Sequence, residues 1–340
     1  MSYGQIKSPR IYVDWINWLL SSGKMQASDI TADMGNETFV AGSSLHGMFD
    51  LDPSNLQSIN VATSGSQDFS IKINTNLTTD ANQGCNFVAI LGHNLKQIDA
   101  LVRIQSSDTD SFNNCTISNI ANTGSLNTGV ITGNLSSPAY NGWSMYNIDN
   151  FSNLGNQKIN IKFSSDSNGF DSSVARIGCI MLGKYFDFNT PPDLKFNRQD
   201  VFNNKIQSAF TGKSYSHLMA KPNKSWFLDR WEMSTSTTSG NITTSSKKIV
   251  SMNFSFMFDE KVFPESYSLE HLTTSDNFYA SVLNKSLGSH FPVILQFDKT
   301  KRYLTSTTPN DIMLARIHNT KINQTAVNHY SVSLVFEEQL

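Results

Sequence analysis

The sequence predicts a mainly β protein: a β-sandwich followed by a second β-domain with one helix packed against its sheet. Three observations predict it. Of 340 residues, 46 are Ser, 26 Thr and 35 Asn, types that bond their own backbone and so favour turns and strand ends over helix interiors. The 22 Phe, 10 Tyr and 5 Trp supply the bulk of a real core. Short apolar runs, several alternating with period two, recur between turn signals. At about 100 to 200 residues per domain, this length accommodates two. Asn189-Thr190-Pro191-Pro192-Asp193 is the expected boundary, because two prolines stiffen an extended connection and end a strand. The domains are then 1–188 and 189–340.

In the first domain, Arg10-Ile11-Tyr12-Val13-Asp14 opens the sandwich, and Phe69-Ser70-Ile71-Lys72-Ile73 alternates apolar and polar. Phe87-Val88-Ala89-Ile90-Leu91 is continuously apolar, as a strand buried on both faces requires. Strands are also expected at 100–104, 143–148 and 159–163, and one over 175–182 closes the set. Residues 118–134 form a polar connection rich in Asn, Thr and Gly. In the second domain, 250–259 reads as a strand with one largely aromatic face. A helix is expected near 276–287: Ser275 or Asp276 is a good N-cap, Phe278, Val282 and Leu283 share a face, and Gly288 is a C-terminal stop. Strands at 291–297, 312–317 and 330–336 complete the sheet. The Ser/Thr-rich tract 234–246 reads as an exposed loop.

Charge removes several functions. The net charge is −2, which gives no electrostatic footprint for nucleic acid. Residues 1–190 hold 10 Lys/Arg against 15 Asp/Glu, a net of −5, and residues 191–340 hold 16 against 13, a net of +3. No apolar run approaches the roughly 18 to 20 residues of a membrane-spanning helix. The N-terminus has no apolar stretch typical of a secretory signal. With Cys85, Cys115 and Cys179 odd in number, widely spaced and without a CxxC, three buried reduced thiols and a reducing compartment are expected.

No motif of nucleophilic, zinc or phosphate chemistry is present, and the seven His residues are isolated. No enzyme is expected. Asp108-Thr109-Asp110 offers two carboxylates that suit either a structural calcium or a solvated turn; no other cofactor is implied. His93 and Asn94 follow the most apolar strand, where they would either hydrogen-bond a sugar hydroxyl at a sandwich rim or cap the strand end. Trp143 and Tyr146 would either stack on a sugar ring or serve the core. The cluster Trp226-Phe227-Leu228-Asp229-Arg230-Trp231 is either a local satellite core or a subunit interface, since Trp and Arg are enriched at hot spots. Trp226, Phe227, Arg230 and Trp231 are the candidate contact residues.

Ser8-Pro9-Arg10-Ile11-Tyr12-Val13-Asp14, with Phe87-Val88-Ala89-Ile90-Leu91-Gly92-His93-Asn94-Leu95, resembles the galactose-binding-like jelly-roll domains of tailed-phage virion proteins. Ile177-Gly178-Cys179-Ile180-Met181-Leu182-Gly183-Lys184-Tyr185-Phe186 is similar to their closing strand, departing at Cys179, where a second Arg is expected. The order of a helix ending in Gly288, the strand Phe291-Pro292-Val293-Ile294-Leu295-Gln296-Phe297 and a final strand ending in Glu337-Glu338 resembles the tail-tube-related domains of phage distal tail and minor tail proteins. The resemblance implies a structural virion protein of the distal tail or baseplate, assembled in the host cytoplasm as a ring of its own copies against other tail proteins. The alternative is a carbohydrate-binding adhesin that contacts host surface glycans through His93, Asn94 and Trp143. Neither implies nucleic acid or a membrane span. A glycan-cleaving enzyme would need a carboxylate pair in a cleft, which no pattern marks.

Overall fold

The computed structural model describes residues 8–77, 84–107, 112–114, 116–121, 125–127, 135–138, 141–149, 158–188, 190–193, 197–201, 204–208, 214–218, 247–299 and 312–339. The protein is mainly β, and its sheets are antiparallel. One sheet has ten strands. Its central members run in the order Ile312–Ala326, Val293–Gln296, Arg10–Asp14, Cys179–Asp187, Phe87–His93 and Gly142–Asp149. A seven-stranded sheet, with Leu101–Ser107, Lys158–Ser164 and Asp68–Asn74 at its centre, faces it to make the sandwich.

Alternation along the central strands explains why their sequences are apolar at every position. Successive strand residues point to opposite faces. Val88 and Ile90 enter a first core with Ile71, Ile104, Ile161 and Phe163 from the facing sheet. Phe87, Ala89 and Leu91 enter a second core with Phe254, Leu295, Leu314 and Phe336. Cys179–Asp187 divides the same way: Ile180 and Leu182 go to the first core, Cys179 and Met181 to the second. The central sheet therefore has no solvent face in this region.

Sheet and core both cross the boundary expected at residue 189. Arg10–Asp14 pairs with Cys179–Asp187 on one side and with Val293–Gln296 on the other. At that seam Arg10 makes a bidentate pair with Asp187, at 2.7 and 2.8 Å, and its guanidinium lies 3.5 Å from the centre of the Tyr185 ring. Burial alone would raise the Asp187 carboxyl; Arg10 and Lys299 hold it below its ordinary value. Tyr12 donates to Gln296 Oε1 at 2.7 Å inside the sheet.

Several elements differ from expectation for local reasons. The run 175–182 is two strands in different sheets, Val174–Ile177 and Cys179–Asp187, separated at Gly178. Strand Thr116–Ala121 runs into the stretch 118–134 expected to be a polar connection, and Ser125–Asn127 lies within it. The helix near 276–287 is a short π-helix, Tyr279–Asn284, whose N-cap is Phe278 and not Ser275 or Asp276; just before it, Asn277 Oδ1 accepts from Ala280 N at 2.8 Å. The helix ends at Asn284 with Lys285 as its C-cap, ahead of the stop expected at Gly288; Gly288, at φ +64°, closes the following turn by donating from its N to Leu283 O at 2.7 Å. Three short α-helices, Ile16–Ser21, Asp259–Val262 and Leu269–Thr274, are too brief to show a period in sequence. The strand expected at 312–317 extends to Ala326 and forms a long hairpin with His329–Glu338. Cys85 and Cys179 are buried free thiols; Cys115, and the tract 234–246, lie outside the described residues.

Candidate functional site

The residues singled out in the sequence for a glycan rim are interior. Trp143 is fully buried, His93 is 4% exposed and Asn94 8%. His93 Nδ1 accepts from Leu95 N, so Nε2 carries the proton and donates to Ser144 Oγ at 2.9 Å. Burial pushes this imidazole down to about 3, which keeps it neutral. Asn94 acts as a piece of strand: its Nδ2 donates to Val174 O at 2.9 Å and its Oδ1 accepts from Arg176 N at 2.7 Å. Trp143 lies in the second core, and Tyr146 lies in the first with its hydroxyl 3.2 Å from Ser136 Oγ. The three do not meet at a surface; they hold the sandwich together. Asp108 and Asp110 lie outside the described residues, as do Trp226, Phe227, Arg230 and Trp231. Among the described residues, no group of three or more His, Cys, Asp or Glu is arranged to hold a metal ion, and no helix is long and apolar enough to cross a membrane.

What the structure does assemble is a cleft of about 360 Å³ where the first sandwich meets the C-terminal sheet. One wall is the loop Asp50-Leu51-Asp52-Pro53-Ser54; the other holds His290, Phe291 and Pro292, with Arg316 and Gln339 from the hairpin. The loop is built from turn chemistry. Asp50 Oδ1 accepts from Asp52 N at 2.8 Å, and Asp52 Oδ1 accepts from Ser54 N at 2.9 Å and from Ser54 Oγ at 2.6 Å. Leu51 sits at φ +61°, a costly conformation for a branched side chain.

Two glycines anchor that loop. A Cβ on Gly92 would stand 2.2 Å from Pro53 O, and one on Gly178 would stand 2.1 Å from it. The Pro53 carbonyl can sit there only because both positions lack a side chain. From beneath, Asn17 Nδ2 donates to Phe49 O at 3.0 Å and to Asp14 Oδ2 at 2.9 Å. Asp14 is buried, which raises its carboxyl despite hydrogen bonds from Asn17 and Leu182. The opposite wall is fixed by Phe291 N donating to Ser286 O at 2.9 Å and Gln339 N donating to Leu314 O at 2.9 Å. The cleft thus presents carboxylate acceptors, a guanidinium, an imidazole and an amide beside an aromatic ring and a buried proline, all on fixed backbone.

No family model and no curated protein matches the chain. Solved structures similar to it include two carbohydrate-binding modules, CBM32-3 and CBM32-1, from a family 31 glycoside hydrolase of Clostridium perfringens. The first is 13% identical, covering 47% of this chain and 93% of the module, with a TM-score of 0.30. The second is 11% identical, covering 46% and 94%, with a TM-score of 0.28. A pectin-binding carbohydrate-binding module is 13% identical, covering 45% and 91%, with a TM-score of 0.23.

Sequence reasoning passed over the cleft. Asp50-Leu51-Asp52-Pro53-Ser54 carries a legible signal, two carboxylates in a turn cluster with Pro. No local signal connects it with His290 or Arg316, which reach it only through the shared sheet.

Proposed function

We propose that the protein binds carbohydrate, without catalysis, in the cleft between the 50–54 loop and the hairpin. The observation that carries this reading is the lining of the cleft. Sugars offer hydroxyls that both donate and accept, plus apolar C–H faces. A site for them combines a few fixed polar groups with an apolar wall. Asp52 and Asp50 supply acceptors, Arg316 and Gln339 supply donors, and Phe291 with Pro292 supplies the apolar side. The test is an oligosaccharide array probed with the full chain, followed by titration of any hit against Asp52→Asn and Phe291→Ala. The expected result is binding weakened at least tenfold in each variant with unchanged thermal unfolding. Binding that survives both substitutions, or no binding to any glycan on the array, overturns the reading.

A second reading, a ring-forming structural protein of a phage tail, is favoured by a different observation. Phe256 and Phe258, at the end of the strand Lys247–Phe258 that pairs beside the hairpin, are 68% and 56% exposed, and Val327 in the hairpin turn is 82% exposed; exposed apolar residues gathered in one place mark association surfaces. Its test is the mass of the full chain in solution: a closed oligomer that Phe256→Ser dissociates is expected, and a monomer at every concentration, or an oligomer that the substitution leaves unchanged, counts against it.

A further inference from the structure

We propose that the outer edge of the Ile312–Ala326 strand is a docking edge that takes an extended, acidic segment of another polypeptide as an added β-strand. This inference concerns the strand beyond Arg316, the residue it shares with the glycan cleft, and does not depend on glycan binding. On its outer side the strand pairs with Val293–Gln296 over Ile312 to Ala315 only. On its inner side it pairs with His329–Glu338 as far as Ala326. From Arg316 to Ala326, roughly 35 Å at 3.3 Å per residue, no described strand lies against the outer edge. Alternate backbone N–H and C=O groups along that length point away from the hairpin, which is the template used in β-strand addition.

Folded proteins usually blunt such edges with charged side chains, above all Lys, with proline, with extreme shortness or with a bulge; Lys321 is a guard of this kind against a basic strand, and an acidic one answers it. The ladder with His329–Glu338 is irregular between Ile317 and Asn319 and between Gln324 and Ala326, but it is regular from Asn319 to Gln324. That central stretch is therefore the straight part of the edge, and it contains no proline.

Charge selects the occupant. The strand contains Arg316, His318 and Lys321 and no Asp or Glu; Glu337 of the neighbouring strand lies opposite Arg316 and 3.4 Å from His318 Nδ1, which leaves Lys321 as the charge on the straight part of the edge. Lys321 is exposed, and the residue opposite it on the neighbouring strand is Ser333. A second copy paired edge to edge about Lys321 would bring lysine against lysine, which is unfavourable directly across a ladder. The same charges attract an acidic strand. Ile322 lies on the opposite face of the strand from Lys321 and packs onto the second core. The matching guest places acidic side chains on the Lys321 face and apolar ones on the Ile322 face, an alternation of period two.

The experiment uses the full chain with two fluorescent peptides of about eight residues, one alternating Glu and Val and one alternating Lys and Val. Anisotropy gives affinity, and amide hydrogen exchange locates the site. The expected result is at least tenfold tighter binding of the Glu/Val peptide, with exchange slowed at least tenfold within Asn319–Gln324. Lys321→Glu, an exposed substitution, is expected to reverse the preference between the two peptides. Equal binding of both, protection elsewhere, no binding, or protection of this edge by self-association without peptide would each overturn the proposal.

Discussion

The two cores of this protein are built in different ways. The first is made wholly from the N-terminal part of the chain, between Trp15 and Leu182, and closes the sandwich on itself. The second takes Ile11, Phe87, Trp143 and Met181 from that part and Val250, Leu295, Leu314 and Phe336 from beyond residue 189. A prolyl connection and a change of net charge mark a boundary in sequence, yet the chain returns across it to pair with its own first strand. A linker in the sequence is therefore not a seam in the packing.

The sharpest way to break this comparison is to cut the chain. A fragment ending at residue 188 leaves Phe87, Leu91, Trp143 and Met181 without the residues that cover them. It is expected to aggregate, or to bind a hydrophobic dye and melt without a cooperative transition. A soluble fragment with a single sharp unfolding transition would mean that the first core suffices alone.

Single deletions sharpen the contrast. Phe163→Ala in the first core and Trp143→Ala in the second should each cost about 3 to 5 kcal/mol, as removal of a fully buried aromatic does. The two should differ in extent. Native-state hydrogen exchange in Trp143→Ala should loosen strands on both sides of residue 189, whereas Phe163→Ala should loosen the sandwich first. Identical exchange patterns would erase the distinction.

The smallest step, read per pH unit, belongs to a buried cation that joins the two parts. Lys285 is 1% exposed, donates to Leu272 O at 3.0 Å and Ala280 O at 3.1 Å, and lies 4.7 and 5.1 Å from the Trp15 and Trp18 ring centres. Burial, aided by Lys184 and Lys24 and opposed by Asp276, pushes its ammonium down to about 7 from 10.5. Between those values the unfolded chain holds a proton that the folded chain has released. Stability should therefore rise with pH through that window, by at most about 1.4 kcal/mol per pH unit. Below pH 7 both states are protonated, and the cost of burying the charge is borne in full. Lys285→Met should be more stable than the parent at pH 6 and should remove this slope; denaturant midpoints from pH 6 to 10 check it.

Much of the fold was legible because strand periodicity is local. The alternation of Phe69 to Ile73 and the continuous run from Phe87 to Leu91 each announced their burial, the second on both faces. What the run could not say is which two cores its faces enter, since that depends on Leu295 and Phe336, about two hundred residues further on. A helix near Gly288 was visible through its apolar face, but its short span and π form were not; its contacts with Trp18 through Asn284 join residues far apart in sequence. The candidate site was the least legible part. His93, Asn94 and Trp143 have the chemistry of sugar recognition, yet the same donors and rings serve strand closure and core filling. Composition cannot tell the uses apart without burial. The cleft itself depends on two glycines that accept the Pro53 carbonyl, a requirement that no pattern of polar residues records.

The uninterrupted ladder across Val293–Gln296, Arg10–Asp14 and Cys179–Asp187 also has a mechanical meaning. A load applied at the hairpin reaches the sandwich through rows of backbone hydrogen bonds, not through a single covalent tether. When the load runs along the strands, those rows share it in shear, and they must fail together. The hairpin then behaves as a stiff lever rooted in the sandwich, so that anything seated on its edge is held at a fixed distance and angle from whatever occupies the cleft.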